Sequence, residues 1–120
     1  GERNIQVVKD QRIIYIGHLP VLHGHEVHLA GVSVNPARSL FLKTKKSALC
    51  GHLHQTSQHC EMAIDDKMIT TWSTGHLGET HPMYARINRW NHGIARIEVN
   101  DAGEFEVINL RIQGNKLFRS

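Results

Sequence analysis

The sequence predicts an α+β fold, in which a mainly antiparallel β-sheet is accompanied by one principal helix. Most apolar segments are short, rich in β-branched and aromatic residues, and bounded by turn residues. Only one segment carries both the start and the end signal of a helix. The 120 residues are too few for two independent cores, so we expect a single domain over residues 1–120.

Two strands are predicted before the helix. Residues 12–16, "RIIYI", are β-branched or aromatic except for the first, which is typical of a strand. The segment "LPVLHGHEV" is a second extended run, and we expect Gly24 to end that strand because a His-Gly pair interrupts it.

The helix is predicted in "NPARSLFLKTKKSA". Asn35 is a suitable N-cap, and Pro36 fits the first helical position. Leu40, Phe41 and Leu42 give the helix an apolar side. The lysines of "KTKK" suit the negative end of the helix dipole.

The second half of the chain is predicted to be a series of antiparallel strands, which begins with the short buried strand "SALC". Asp65 and Asp66 then form the turn of a hairpin between "CEMAI" and "KMITTWSTG". The segments "NDAG" and "QGN" turn the chain between later strands. Residues 75–92 contain proline and glycines, so we expect an irregular loop that is long enough to have a function.

Composition and charge exclude some functions and leave others open. The net charge of +3 and the pI near 9.1 permit a phosphate-bearing partner but do not establish one. No apolar run reaches the roughly 18 residues that span a bilayer, so we expect a soluble, cytoplasmic protein without a membrane partner. Cys50 and Cys60 are predicted to be reduced strand residues, because two cysteines are too few for a disulfide framework.

Histidine is the compositional anomaly, with ten in the chain, most of them in short clusters. In "GHLH", His52 and His54 directly follow an apolar strand, and residues two apart in an extended chain project to the same side. This pattern indicates half of a metal site, although an isolated His-x-His pattern is more often an accident of the surface. His23 also ends an apolar strand; its alternative role is a core histidine bonded to a backbone carbonyl. If both strands belong to one sheet, the three imidazoles converge.

Three segments, in this order, resemble motifs of the calcineurin-like metallophosphoesterases. "VLHGH" and "ALCGHLHQT" are similar to the last two metal motifs of that family, with the helix start "NPARSL" between them. Downstream, "STGHLGETHPMYARINRWNHGIARIEV" resembles the tail of the bacterial and phage branch. The match covers residues 12–112, so the chain resembles the C-terminal half of the family's αββα sandwich.

The resemblance implies a metal-dependent hydrolase of phosphodiesters or phosphomonoesters, with nucleic acid among its candidate substrates. It also implies two divalent ions of Mn, Fe, Ni or Zn, held in part by His23, His52 and His54, and neutral imidazole suits these metals. His25 and His76 are candidate pocket residues, for which the alternative is a surface or backbone-bonded role. The catalytic acid and the substrate-binding residues stay unassigned.

The chain lacks the family's N-terminal metal motifs, which are Asp-x-His, Gly-Asp and Gly-Asn-His. Without a bridging carboxylate, we expect at most partial metal occupancy in this chain alone. It is then a fragment, a split-gene subunit or a free-standing protein, and we favour the first two. In these two cases the partner of the chain is the N-terminal half of the same enzyme or a second copy of the chain itself. Half of a sandwich should also expose an apolar sheet face. The alternative function is a non-catalytic metal-binding, nucleic-acid-binding or subunit-interaction module derived from that fold.

Overall fold

The computed structural model describes residues 13–23, 35–51, 54–75, 77 and 91–119. Within these residues the chain forms one helix and eight strands, which confirms the predicted α+β class. In chain order, the elements are β1 (Ile14–Ile16), β2 (Leu19–Leu22), α1 (Pro36–Thr44), β3 (Ala48–Cys50), β4 (Ser57–Met62), β5 (Met68–Ser73), β6 (His92–Val99), β7 (Phe105–Gln113) and β8 (Lys116–Arg119). Gly24, predicted to end a strand, lies outside the described residues.

Helix α1 begins and ends as its sequence predicts. The side chain of Asn35 accepts a hydrogen bond from the N–H of Arg38 at 3.1 Å, which satisfies one of the first free donors of the helix. At the other end, Lys45 adopts a left-handed conformation and its N–H donates to the carbonyl of Phe41 at 2.8 Å. The apolar side differs from the prediction at one position, because Leu42 is 46% exposed whereas Phe41 is buried.

A five-stranded sheet has the order β1-β2-β3-β5-β4. β2 pairs with β3 and β3 with β5 in parallel, while β1 and β4 are antiparallel edge strands. β3 is thus the exception to the antiparallel series predicted for the second half, because the chain reaches it by a crossover through α1. We call the end of the sheet at which β2, β3 and β5 finish the carboxyl edge; it consists of His23 and residues 51, 54–56 and 74–75.

The second sheet contains β6, β7 and β8, joined as consecutive antiparallel hairpins. Asn100 closes the first turn, since its side-chain oxygen accepts hydrogen bonds from the N–H groups of Ala102 and Glu104, both at 3.0 Å. Gly114 and Asn115 form the second turn with positive φ values of 55° and 63°. Both turns lie where "NDAG" and "QGN" predict them.

The elements stack as helix, five-stranded sheet and three-stranded sheet. Leu40 of α1 packs on one face of the first sheet against three of its buried residues, Leu22, Ala48 and Cys50. The opposite face packs against the second sheet through Leu19, Leu49, Trp72 and Val107. Trp72 and Phe105 meet edge to face between the sheets, with ring centroids 6.2 Å apart. Each of these large side chains contributes roughly 1.5–3 kcal/mol when fully buried, so this double interface holds the fold together.

Cys50 is buried in β3 and Cys60 is exposed in β4, and the two form no disulfide, as predicted. No helix within the described residues has the length and apolar character needed to cross a membrane.

Candidate metal centre

The carboxyl edge brings together the segments that carry the predicted metal ligands. His23 directly follows β2, and residues 51–54 directly follow β3. Hydrogen bonds continue just beyond the strands: Gly51 N–H donates to Leu22 at 3.3 Å, and Thr74 N–H donates to Cys50 at 3.0 Å. Because the three parallel strands end level with one another, the loops that follow them share one side of the molecule.

Two imidazoles lie close to each other at this edge. His54 is half-buried, and this burial lowers the pKa of its imidazole, because removing a charged group from water is unfavourable. The nearby His23 lowers the pKa of His54 further, since two positive charges repel each other. His54 is therefore neutral at pH 7, and a neutral imidazole offers a nitrogen lone pair to a metal.

The backbone of His54 is in the left-handed region, with φ of 57°. This conformation costs a residue with a side chain roughly 1–3 kcal/mol and persists only where surrounding contacts enforce it. Such strained residues concentrate at functional sites. The conformation also decides the direction in which the imidazole leaves the loop.

The contacts that enforce this conformation surround residues 54–56. The N–H of Asn91 donates to the carbonyl of His54 at 2.8 Å, and the Asn91 side chain accepts from Thr56 N–H at 2.7 Å. Asn91 Nδ2 also donates to Thr56 Oγ1 at 2.7 Å and to the His92 carbonyl at 2.8 Å. From the other side, Ser73 Oγ donates to the carbonyl of Gln55 at 2.5 Å. Three consecutive residues are thus held by groups of β5 and of the segment before β6.

Asn109 fixes the same edge from the second sheet. It is 2% exposed, and its Nδ2 donates to the carbonyls of Ser57 at 3.1 Å and Ser73 at 2.9 Å. These bonds tie the start of β4 and the end of β5 to β7. The Oδ1 of Asn109 finds no donor within the described part of the chain.

Sequence reasoning did not single out Asn91 or Asn109. Thr56, the partner of Asn91, lies 35 residues away from it in the sequence. Ser57 and Ser73, the partners of Asn109, lie 52 and 36 residues away from it. A single sequence contains no local signal for contacts at such separations, because caps and turns show only in near neighbours.

Of the three predicted histidine ligands, the structure brings His23 and His54 together. His52 lies outside the described residues, as do the candidate pocket residues His25 and His76. Within the described ranges, no group of three or more His, Cys, Asp or Glu residues could hold a metal.

The described aspartates lie away from this edge. Asp65 and Asp66 are exposed in the β4–β5 turn, and Asp101 is exposed in the β6–β7 turn. Imidazole nitrogens fit a borderline cation such as Zn²⁺, and two of them leave other coordination positions for further ligands.

Comparison with known proteins gives a structural result. No protein-family model and no curated protein matches the chain. The crystal structure of wild-type Vps29 complexed with Zn²⁺ from Entamoeba histolytica is similar with a TM-score of 0.54 and 15% identity. A single mutant of Vps29 from that organism gives 0.52, also with 15% identity. Each match covers 98% of this chain and 62% of the Vps29 chain. The chain therefore shares the fold of Vps29 and spans less than two thirds of the length of the Vps29 chain.

Proposed function

We propose that this chain binds a divalent metal through His23, His52 and His54 and supplies these ligands to a phosphoesterase centre. The observation that supports the proposal best is the proximity of His23 and His54 at the carboxyl edge, where His54 is held neutral. The Zn²⁺ complex of Vps29, which shares the fold, is a second support for a metal at this fold. The assignment of these three histidines as metal ligands is itself part of the proposal.

In this proposed function, residues of this chain bind the metal and orient the histidines that hold it. The parallel strands bring His23 and His54 to the same edge of the sheet, and the bonds of Asn91 and Ser73 fix the loop that carries His54. Divalent cations bound there would polarise a phosphoryl oxygen and neutralise its charge. In the sequence His25 comes two residues after His23 and His76 directly follows Gly75, and we assign both to the substrate pocket. The substrate class is a phosphodiester or a phosphomonoester, and the pI near 9.1 mildly favours nucleic acid.

We extend the proposal to the domain and its partner. Residues 1–120 are the C-terminal portion of a metallophosphoesterase-like domain of the bacterial or phage type, completed by the N-terminal half or by a second copy of the chain. The coverage of 62% of Vps29 agrees with this view. So does the outer face of the second sheet, where Ile94 and Leu117 are 40% and 59% exposed.

A second candidate is a non-catalytic metal-binding, nucleic-acid-binding or subunit-interaction module. It is favoured by the lack of any described carboxylate beside His23 and His54. A centre built from histidines alone would bind one cation without the negative charge needed to hold two close together.

The test is Mn²⁺-dependent hydrolysis of bis-p-nitrophenyl phosphate by the purified chain and by its His52→Ala variant, with Zn²⁺ binding measured by calorimetry on the same samples. His18→Ala is the matched control, because His18 lies in the β1–β2 turn at the opposite end of the sheet. Hydrolysis that only His52→Ala abolishes supports the enzyme. Metal binding without hydrolysis, lost only in His52→Ala, supports the module or a chain that needs its other half. Equal metal binding by all three proteins contradicts both.

A further inference from the structure

We propose that Asn91 is a positioning residue for His54, an inference that rests on the proposed metal centre. Asn91 touches neither imidazole in any contact described above. It acts on the backbone that carries one of them. Its N–H holds the carbonyl of His54, and its side chain holds both the N–H and the hydroxyl of Thr56.

Both sets of bonds lie on the carboxyl side of the strained position. One holds the carbonyl of His54 and the other holds Thr56, so the peptide units that follow His54 have little freedom to rotate. Since φ of His54 is 57°, release of these bonds would let the residue relax toward the ordinary negative region. The imidazole would then leave the loop in a different direction.

Two glycines allow Asn91 to approach this closely. A Cβ at Gly75 would lie 2.5 Å from the carbonyl oxygen of Asn91 and 2.9 Å from its Nδ2. A Cβ at Gly93 would lie 2.7 Å from Thr56 Oγ1. Any side chain at either position would collide with this junction, so glycine at both positions is needed for the close approach.

Asn100 provides a natural comparison. It also makes three side-chain hydrogen bonds, to Ala102 N–H, Glu104 N–H and the Glu104 carboxylate. All of its partners are within four residues, in the turn after β6, whereas Thr56 is 35 residues from Asn91. The two residues flank the same strand at its two ends. Asn100 stabilises a turn, and Asn91 joins a distant loop to the second sheet.

The experiment measures Zn²⁺ affinity, by competition with a chromophoric chelator, and the visible absorption spectrum of bound Co²⁺. The proteins are the unmodified chain, Asn91→Ala, Asn100→Ala and His54→Ala. We expect Asn91→Ala to bind Zn²⁺ roughly tenfold more weakly, as is typical when the support of a metal ligand is removed. Its Co²⁺ spectrum should also change, because the coordination geometry changes. Asn100→Ala should keep the affinity and the spectrum of the unmodified chain.

A second variant guards against misfolding. Thr56→Val removes the hydroxyl that accepts from Asn91 Nδ2 and leaves Asn91 in place. If Asn91→Ala lacks the circular dichroism of a folded protein, Thr56→Val decides the question, with the same altered spectrum expected. Unchanged affinity and spectrum in the folded variants would overturn the role of Asn91 while leaving the metal centre intact. If the unmodified chain and His54→Ala bind Zn²⁺ equally, the metal centre fails and this inference fails with it.

Discussion

At the scale of residues, the lowered pKa of His54 makes stability depend on pH. In the unfolded chain this imidazole protonates near pH 6.5, its ordinary value, but in the folded chain it does so only at lower pH. Below about pH 6.5 the unfolded state therefore binds more protons, and the free energy of unfolding falls until the folded pKa is reached. Above that range this residue adds no pH dependence.

We predict that His54→Gln flattens this decline. Urea denaturation of the metal-free protein between pH 8 and pH 5, in the presence of a chelator, gives the measurement. The unmodified chain should lose stability more steeply than the variant below about pH 6.5, because only the unmodified chain carries the imidazole of His54, whose pKa is lowered by folding. Parallel curves for the two proteins would contradict the burial of a neutral His54.

The left-handed backbone of His54 gives a second prediction at this scale. His54→Gly should be more stable than His54→Ala by about 1 kcal/mol, since both variants lose the imidazole but only glycine accepts a φ of 57° without strain. His59 lies in the extended strand β4, and there the order should reverse, with His59→Gly less stable than His59→Ala. Thermal unfolding of the four variants compares them directly. If the glycine and alanine variants rank in the same order of stability at both positions, the backbone of His54 is not strained.

At the scale of elements, helix α1 shows how burial separates neighbours of the same chemistry. Leu40 is fully buried against the first sheet, while Leu42, two residues later, is 46% exposed. We predict that Leu40→Ala lowers the free energy of unfolding by about 2–5 kcal/mol. Leu42→Ala should change it by about 0.5 kcal/mol or less. Chemical denaturation measures both, and similar losses for the two would contradict the placement of the helix.

The ends of α1 could be predicted from the sequence, whereas its buried face could be predicted only in part. Asn35 and Pro36 act through groups within a few residues, so the pattern of letters contains their effect. Leu40, Phe41 and Leu42 are consecutive, and successive helical residues point about 100° apart, so all three cannot face one sheet. Which of them faces outward depends on the position of the sheet.

The candidate site could likewise be predicted from the sequence only in part. Strand-end histidines after apolar runs predicted the convergence of His23 and His54, because parallel neighbouring strands place their ends together. The sequence did not reveal Asn91 as a support of that loop. Its contact with Thr56 depends on how the second sheet docks on the first, which no local pattern determines.

At the scale of the whole molecule, the outer face of the three-stranded sheet leads to a prediction about assembly. Ile94 and Leu117 are exposed on it, and no described element packs over them. We predict that the chain alone self-associates at micromolar concentrations and that Leu117→Glu makes it monomeric, because a charge would enter the apolar contact.

Sedimentation velocity over a concentration series measures this association. Lys116→Glu is the control, because neighbouring residues of β8 project to opposite faces of the sheet, and it should associate as the unmodified chain does. A monomer at every concentration for the unmodified chain would show that this face needs no cover.

The order of strands also has a consequence for how the molecule assembles. β6, β7 and β8 are consecutive hairpins, so their contacts close short loops, whereas Leu22 meets Cys50 only after the whole crossover through α1 is in place. Short loops close sooner than long ones, because less chain entropy is lost before a contact forms. We therefore expect the three-stranded sheet to form early in folding and the parallel strands that precede His23 and His54 to pair late, so that in a nascent chain the proposed metal centre would be assembled in the last step of folding.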